Sequence, residues 1–188
     1  MKKIFLLIAL ALGMTSVNAA AQDAKQQDKA TLKEEMKVLQ QRIDSALYAE
    51  ALEAVNDTAF TLEADQVVFK YGQTAYVNSN TNFVSVNHGN AVVQVAFNVP
   101  FAGPNGIGGI TVQGMVSKYE LKTDKRGTTY VTMNVMGTGI SAQVFITMYN
   151  GSHNASVEIM PNFNSNRLTL NGVIVPVAKS NVFQGRTL

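Results

Sequence analysis

Apolar residues recur along this chain with two different periods. From Thr31 they fall at Leu32, Met36, Leu39, Ile43, Ala46/Leu47, Ala51 and Val55. That 3–4 spacing draws one stripe along a helix and predicts a helical segment over residues 31–57. Thr31 or Asp28 can cap its start, Glu34 and Glu35 face the positive end of its dipole, and Asn56-Asp57 ends it. After Thr58 the period becomes two. Val67, Phe69 and Tyr71 alternate with Val68 and Lys70; Ala91, Val93, Val95, Phe97 and Val99 with Val92, Gln94, Ala96 and Asn98. The alternation continues through Thr129–Met136, Ser141–Tyr149 and Ala155–Ile159. Leu168 and Leu170, then Val173, Val175 and Val177, complete it. One apolar and one polar face is the mark of antiparallel strands with a single buried side.

The turn residues fit that reading. Asn150-Gly151 and Asn171-Gly172 are two-residue hairpin signals, whereas Asn87-His88-Gly89-Asn90 and Lys125-Arg126-Gly127 suit slightly longer loops. Between Ile110 and Leu121 the apolar parity changes near Gly114, which predicts a bulge or sharp bend there. The expected fold is mainly β: an antiparallel meander of about eight or nine strands closing into a small barrel, preceded by one amphipathic α-helix. An open β-sandwich is the alternative.

The first residues carry a different message. Lys2 and Lys3 precede a nine-residue apolar run, Ile4 to Leu12, and Val17-Asn18-Ala19 and Ala19-Ala20-Ala21 offer small-residue cleavage sites. This reads as a secretory signal peptide over residues 1–21, too short to span a bilayer, which takes about 20 apolar residues. With no cysteine in the chain, lipid attachment, disulfides and thiolate metal sites are excluded. The expected mature protein is therefore periplasmic or secreted and is not a lipoprotein. Residues 22–30 form a polar leader, and 58–188 the β domain.

Composition is that of a folded chain, 46% hydrophobic and 15% charged. Loss of Lys2 and Lys3 takes the net charge from +2 to 0. Residues 22–65 hold ten acidic and five basic side chains, net −5; residues 66–188 hold three acidic and eight basic, net +5. Eight basic residues dispersed over the β region make no stripe, so no nucleic-acid partner is expected.

Candidate chemistry is sparse. The glycine-rich segment 100–109 lacks the Lys-Ser/Thr and the following helix of a phosphate loop, and reads as a connection or as a lid with Phe101, Asn105 and Ile107 at the barrel mouth. The Asn-rich segments 76–82 and 161–167 either are turns or line one rim through Asn80, Asn82, Asn164 and Arg167. His88 and His153 sit in predicted turns, and only Glu120, Asp124 and Glu158 supply carboxylates after residue 65, so no metal, cofactor or catalytic residue is assigned. Met115, Met133, Met136, Met148 and Met160 fall in strands, as core filling or as an adaptable apolar pocket.

Several stretches are familiar as a set: Phe60–Asp65, Asn78–Val84, Phe101–Ile110, Gly137–Ser141 and Pro161–Arg167. In these the chain resembles the domain-of-unknown-function 4251 family, exported proteins of Bacteroides-type gut bacteria, over about residues 30–188. The resemblance implies an exported β-rich domain of lipocalin-like barrel type and carries no activity with it. In such a bacterium, Asp57-Thr58-Ala59 and Asp44-Ser45-Ala46 resemble the periplasmic O-glycosylation pattern, with Thr58 and Ser45 as acceptors.

The expected function is a non-catalytic binding module for a small apolar or amphipathic ligand, in or at the mouth of a barrel. The alternative is an envelope structural or protein-interaction domain acting through its helix or its basic β surface.

Overall fold

One long strand organises the sheet by pairing along both of its edges. The computed structural model describes residues 29, 31–97, 106–163 and 167–187. The chain comprises two compact units, Met1–Ile43 and Asp44–Leu188. In the first, residues 31–43 are helical; in the second, residues 44–56 are helical and are followed by nine strands. These are β1 (Ala59–Phe69), β2 (Thr74–Tyr76), β3 (Phe83–Asn87), β4 (Asn90–Ala96), β5 (Gly109–Thr123), β6 (Thr129–Gly137), β7 (Ile140–Met148), β8 (Asn154–Pro161) and β9 (Leu168–Pro176). A 3₁₀ turn, Val177–Lys179, comes after β9.

From β3 to β9 each strand pairs antiparallel with the next, and β9 returns to β1 in a register that sets Thr61 opposite Val175. β1 and β3–β9 thus close an eight-stranded barrel, which removes the open-sandwich alternative. On its other edge β1 is shared, its first half pairing with β3 and its second with the short β2.

The interior is filled by the alternating side chains. Phe60, Leu62, Ala64, Val84, Val86, Val131, Met133, Val135, Val144, Ile146, Met148, Val157, Leu170 and Ile174 form one buried cluster. Each such side chain stabilises the fold by about 1.5–3 kcal/mol relative to exposure. Met133 and Met148 are core-filling, whereas Met115, Met136 and Met160 lie exposed.

Three local expectations are corrected. The parity change in β5 comes from a register shift between Ser117 and Glu120, where Lys118 takes φ 53°, and not at Gly114. Gly114 instead marks a close strand approach, since a Cβ there would lie 2.8 Å from the Val135 Cγ1. Asn171-Gly172 is no turn: both residues lie inside β9, opposite a bulge at Ala64/Gln66 in β1. Parity therefore runs unbroken from Leu168 through Leu170 to Ile174, which points inward, and Val173 and Val175 are only half-buried. The 87–90 loop is tighter than expected: Asn87 pairs with Asn90, and His88 (φ 43°) and Gly89 (φ 93°) form a two-residue turn.

One end of the barrel is closed by the helical residues 44–56. Ala51, Ala54 and Val55 join the core, the Tyr48 hydroxyl donates to the Gly127 carbonyl at 3.1 Å, and the Tyr119 hydroxyl donates to the Val55 carbonyl at 2.6 Å. Beyond the 3₁₀ turn, residues 180–187 run without regular secondary structure across the outer wall. The Phe183 N–H donates to the Asn80 carbonyl at 2.8 Å, and Gln94 takes both the Phe183 carbonyl and the Gly185 N–H at 2.8 Å.

Candidate functional site

Strand direction sorts the loops between the two barrel ends. The helix-capped end carries the β3–β4, β5–β6 and β7–β8 turns. The opposite end carries the segment from β1 to β3, the β4–β5 connection and the β8–β9 connection. The described parts of these segments, residues 76–82, 106–109 and 161–163, therefore share one end of the barrel, because antiparallel strands return every second loop to the same side. Of the residues expected there, Phe101, Asn105 and Asn164 lie outside the described residues.

At that end a cavity of about 420 Å³ is lined by Tyr76, Val77, Asn78, Thr81, Ala96, Phe97 and Ile107. It forms where β2 and β3 part from one another along β1, and where β4 ends and β5 begins. Five of the seven lining side chains are aromatic or aliphatic. Phe97 is held by Phe69 at the end of β1, with ring centroids 5.7 Å apart and planes tilted by 31°. Such an arrangement contributes about 0.5–1.5 kcal/mol beyond burial and fixes one wall.

The polar members are committed within the loop. The Asn78 Oδ1 accepts the Asn80 N–H at 3.0 Å, and the Asn78 carbonyl accepts the Thr81 hydroxyl at 3.3 Å and the Asn82 amide at 3.0 Å. Asn82 is fully buried, and its Oδ1 accepts the Ala96 N–H at 2.8 Å, so it ties the loop to the end of β4. Asn80 is exposed and serves the chain terminus through its carbonyl. Arg167 is also exposed, and its guanidinium is paired with Glu158 at 3.0 Å. Of the expected rim residues that are described, Ile107 alone lines the cavity. Asn82 supports it from behind, and Arg167 is engaged elsewhere.

Sequence reasoning passed over Val77 and Phe97 as site residues and did not separate β2 from β3. The signal was there: Phe97 ends an alternating strand just before the glycine-rich segment, and Asn78 to Asn82 supplies the turn chemistry that leaves Val77 facing the gap.

The helix-capped end has a second depression, also of about 420 Å³, between Glu50, Glu53 and Asp57 on one side and Asn87, His88 and Pro176 on the other. Glu50 is bonded to Lys179, and His88 is exposed at a hairpin tip. Among the described residues no group of three or more His, Asp or Glu is placed to hold a metal ion. Glu120 pairs with Lys122 at 3.3 Å. Ser45 is exposed on the helix, and Thr58 sits half-buried in the turn before β1 with φ 54°.

Among the described residues, two titrations are shifted. Burial pushes the Tyr119 hydroxyl well above the ordinary tyrosine range. At Asp124 desolvation acts upward, but the Thr128 and Arg126 N–H groups, the Tyr130 hydroxyl and the Arg126 charge together hold the carboxyl below its ordinary value.

No described helix is long and apolar enough to cross a membrane. Comparison with curated proteins finds no match. Among solved structures, the crystal structure of a DUF4251 family protein from Bacteroides eggerthii matches with 53% sequence identity and a TM-score of 0.66, covering 79% of this chain and 99% of that one. The family described as Domain of unknown function (DUF4251) matches residues 42–174, the last turns of the helix and nearly all of the barrel. A match over most of the chain, together with the Bacteroides eggerthii structure, places this protein in the DUF4251 family.

Proposed function

We propose that this protein is a non-catalytic binding module, exported from the cytoplasm, that takes a small apolar or amphipathic molecule at the open end of its barrel. The observation that carries this reading is the cavity lined by Tyr76, Val77, Phe97 and Ile107. Its volume is in the range of small-molecule sites, and it sets aromatic and aliphatic side chains beside an accessible wall that is more polar than apolar, a mixture that suits an amphipathic molecule. The barrel interior is packed with side chains, so the ligand belongs at the mouth and not along the axis. Export is supported by Lys2, Lys3 and the apolar run 4–12.

The chain has no tryptophan, so a single introduced indole reports on the site alone. In a Tyr76→Trp variant, titration with a medium-chain fatty acid should shift the indole emission to shorter wavelength and saturate. Val77→Arg in the same background should abolish the shift while leaving the melting temperature within a few degrees. An emission unchanged by fatty acids and by anilinonaphthalene sulfonate would overturn the reading.

A second reading, an envelope protein-interaction domain, is favoured by one observation: the apolar stripe Leu32, Met36, Leu39 and Ile43 is exposed.

A further inference from the structure

The exposed stripe on residues 31–43 has a spacing and a charge pattern that together specify a partner. Leu32, Met36, Leu39 and Ile43 are 59%, 70%, 59% and 43% exposed, on a helix that has no membrane-spanning character. Their separations of four, three and four residues are those of the apolar seam of a two-stranded coiled coil, in which each side chain packs into a hole on a facing helix. Four such residues on one side of a polar helix are costly to leave in water.

We infer that this stripe is the contact surface for a second copy of the same chain, the two helices lying antiparallel. This deepens the interaction reading above by naming its partner. The charges beside the stripe decide the direction. Glu35 and Arg42 are seven residues apart and so flank the stripe on the same side. Laid antiparallel about a two-fold axis between Met36 and Leu39, the copies stack Leu32 on Ile43 and Met36 on Leu39. Glu35 of each protomer then meets Arg42 of the other. By symmetry the pair forms twice. Along the described helix a parallel pair would set Glu35 against Gln40 and Arg42 against Leu47, with no opposite charges matched. Antiparallel helices also oppose their dipoles.

A lipid surface is the competing occupant for an amphipathic helix. Here residues 31–43 carry Lys33, Lys37 and Arg42 against Glu34 and Glu35, a net charge of +1 that gives an anionic bilayer little to hold, and Glu35 stands at the edge of the apolar stripe. The carboxylate suits a protein rim better than a headgroup layer.

The test uses the chain as purified from the cells that make it. Sedimentation equilibrium should give a dimer, and Leu39→Glu should give a monomer with unchanged helical circular dichroism. Glu35→Arg and Arg42→Glu should each weaken dimerisation about tenfold, since two attractive rim pairs become repulsive. The double variant Glu35→Arg/Arg42→Glu should restore the original dissociation constant. A dimer indifferent to Leu39→Glu, single reversals without rescue in the double variant, or a monomer that instead sediments with phosphatidylglycerol vesicles would each overturn the proposal. A photo-crosslinking residue at position 36 separates the two levels of the inference. A crosslink to another copy supports the pairing. One to a different envelope protein overturns the pairing and leaves the interaction reading standing; no crosslink removes both.

Discussion

Thr111 and Gln94 lie opposite each other on adjacent strands, and the threonine hydroxyl donates to the glutamine Oε1 at 2.7 Å with both side chains fully buried. Neither points into the barrel. Val93 does, so its neighbour Gln94 projects to the outer wall, where water would reach it if residues 180–187 did not lie across it. Gln94 spends its amide fully: Nε2 donates to the Thr81 and Phe183 carbonyls at 3.0 and 2.8 Å, and Oε1 also accepts the Gly185 N–H.

Gln94→Leu should therefore cost about 2–4 kcal/mol, because it strands a hydroxyl, two carbonyls and an N–H in a covered site. Urea denaturation measures this. In a chain ending at Ser180 the same substitution should cost less than half as much, since water then satisfies the freed groups. Equal costs in both backgrounds would show that Gln94 does not act through the terminal segment.

Tyr119→Phe should lose about 1 kcal/mol or somewhat more at neutral pH, through the missing bond to the Val55 carbonyl. The direction of its titration gives a second readout. Burial raises the folded-state value above the unfolded value of about 10, so the tyrosine's contribution is fully present below that pH and is lost as pH rises above it. Wild-type stability should fall above pH 10 more steeply than that of the phenylalanine variant, measured by denaturant midpoints at a series of pH values.

Gly172→Ala tests the seam where the barrel closes. A Cβ at this position would fall 2.0 Å from the Glu63 carbonyl oxygen, which is backbone and cannot swing aside. A loss of about 3 kcal/mol is expected, at the upper end for overpacking, together with faster amide exchange in β1 and β9. Gly151→Ala, with open space around the glycine but φ 70°, should cost about 1 kcal/mol.

Asp124 organises the β5–β6 turn by accepting the Arg126 and Thr128 N–H groups at 2.8 and 2.9 Å. Its folded-state value is depressed, so its contribution is complete above the unfolded value of about 3.9 and is lost as pH falls through the lower folded one. The Thr128 amide resonance should shift with a midpoint below pH 3.9. In Asp124→Asn that titration should vanish.

Much of the barrel could be read from alternation alone, since β6, β7 and β8 each keep one inward parity from end to end. Reading failed where the backbone inserts a residue. Nothing in Lys118 or Asp65 announces a bulge, because a bulge is imposed by strands pairing across the sheet and leaves no local composition. It failed also at Asn171-Gly172, where a turn dipeptide serves a close strand crossing. The cavity was partly legible: Ile107 and the Asn-rich turn stood among the sequence candidates and border it, but Val77 and Phe97 acquire their place only when β2 and β3 separate along β1. The burial of Gln94 depends on a segment nearly ninety residues away, which no local pattern encodes.

The pairing of β1 with β9 makes the first strand synthesised wait for the last. Until residue 176 has emerged, one margin of Ala59–Phe69 has only water to bond, and it is flanked by oily side chains. Maturation is thus all-or-none with respect to length: a chain broken off anywhere before β9 leaves an open ribbon prone to self-association, and correct assembly proceeds on the slow milliseconds-to-seconds scale of non-local β folds.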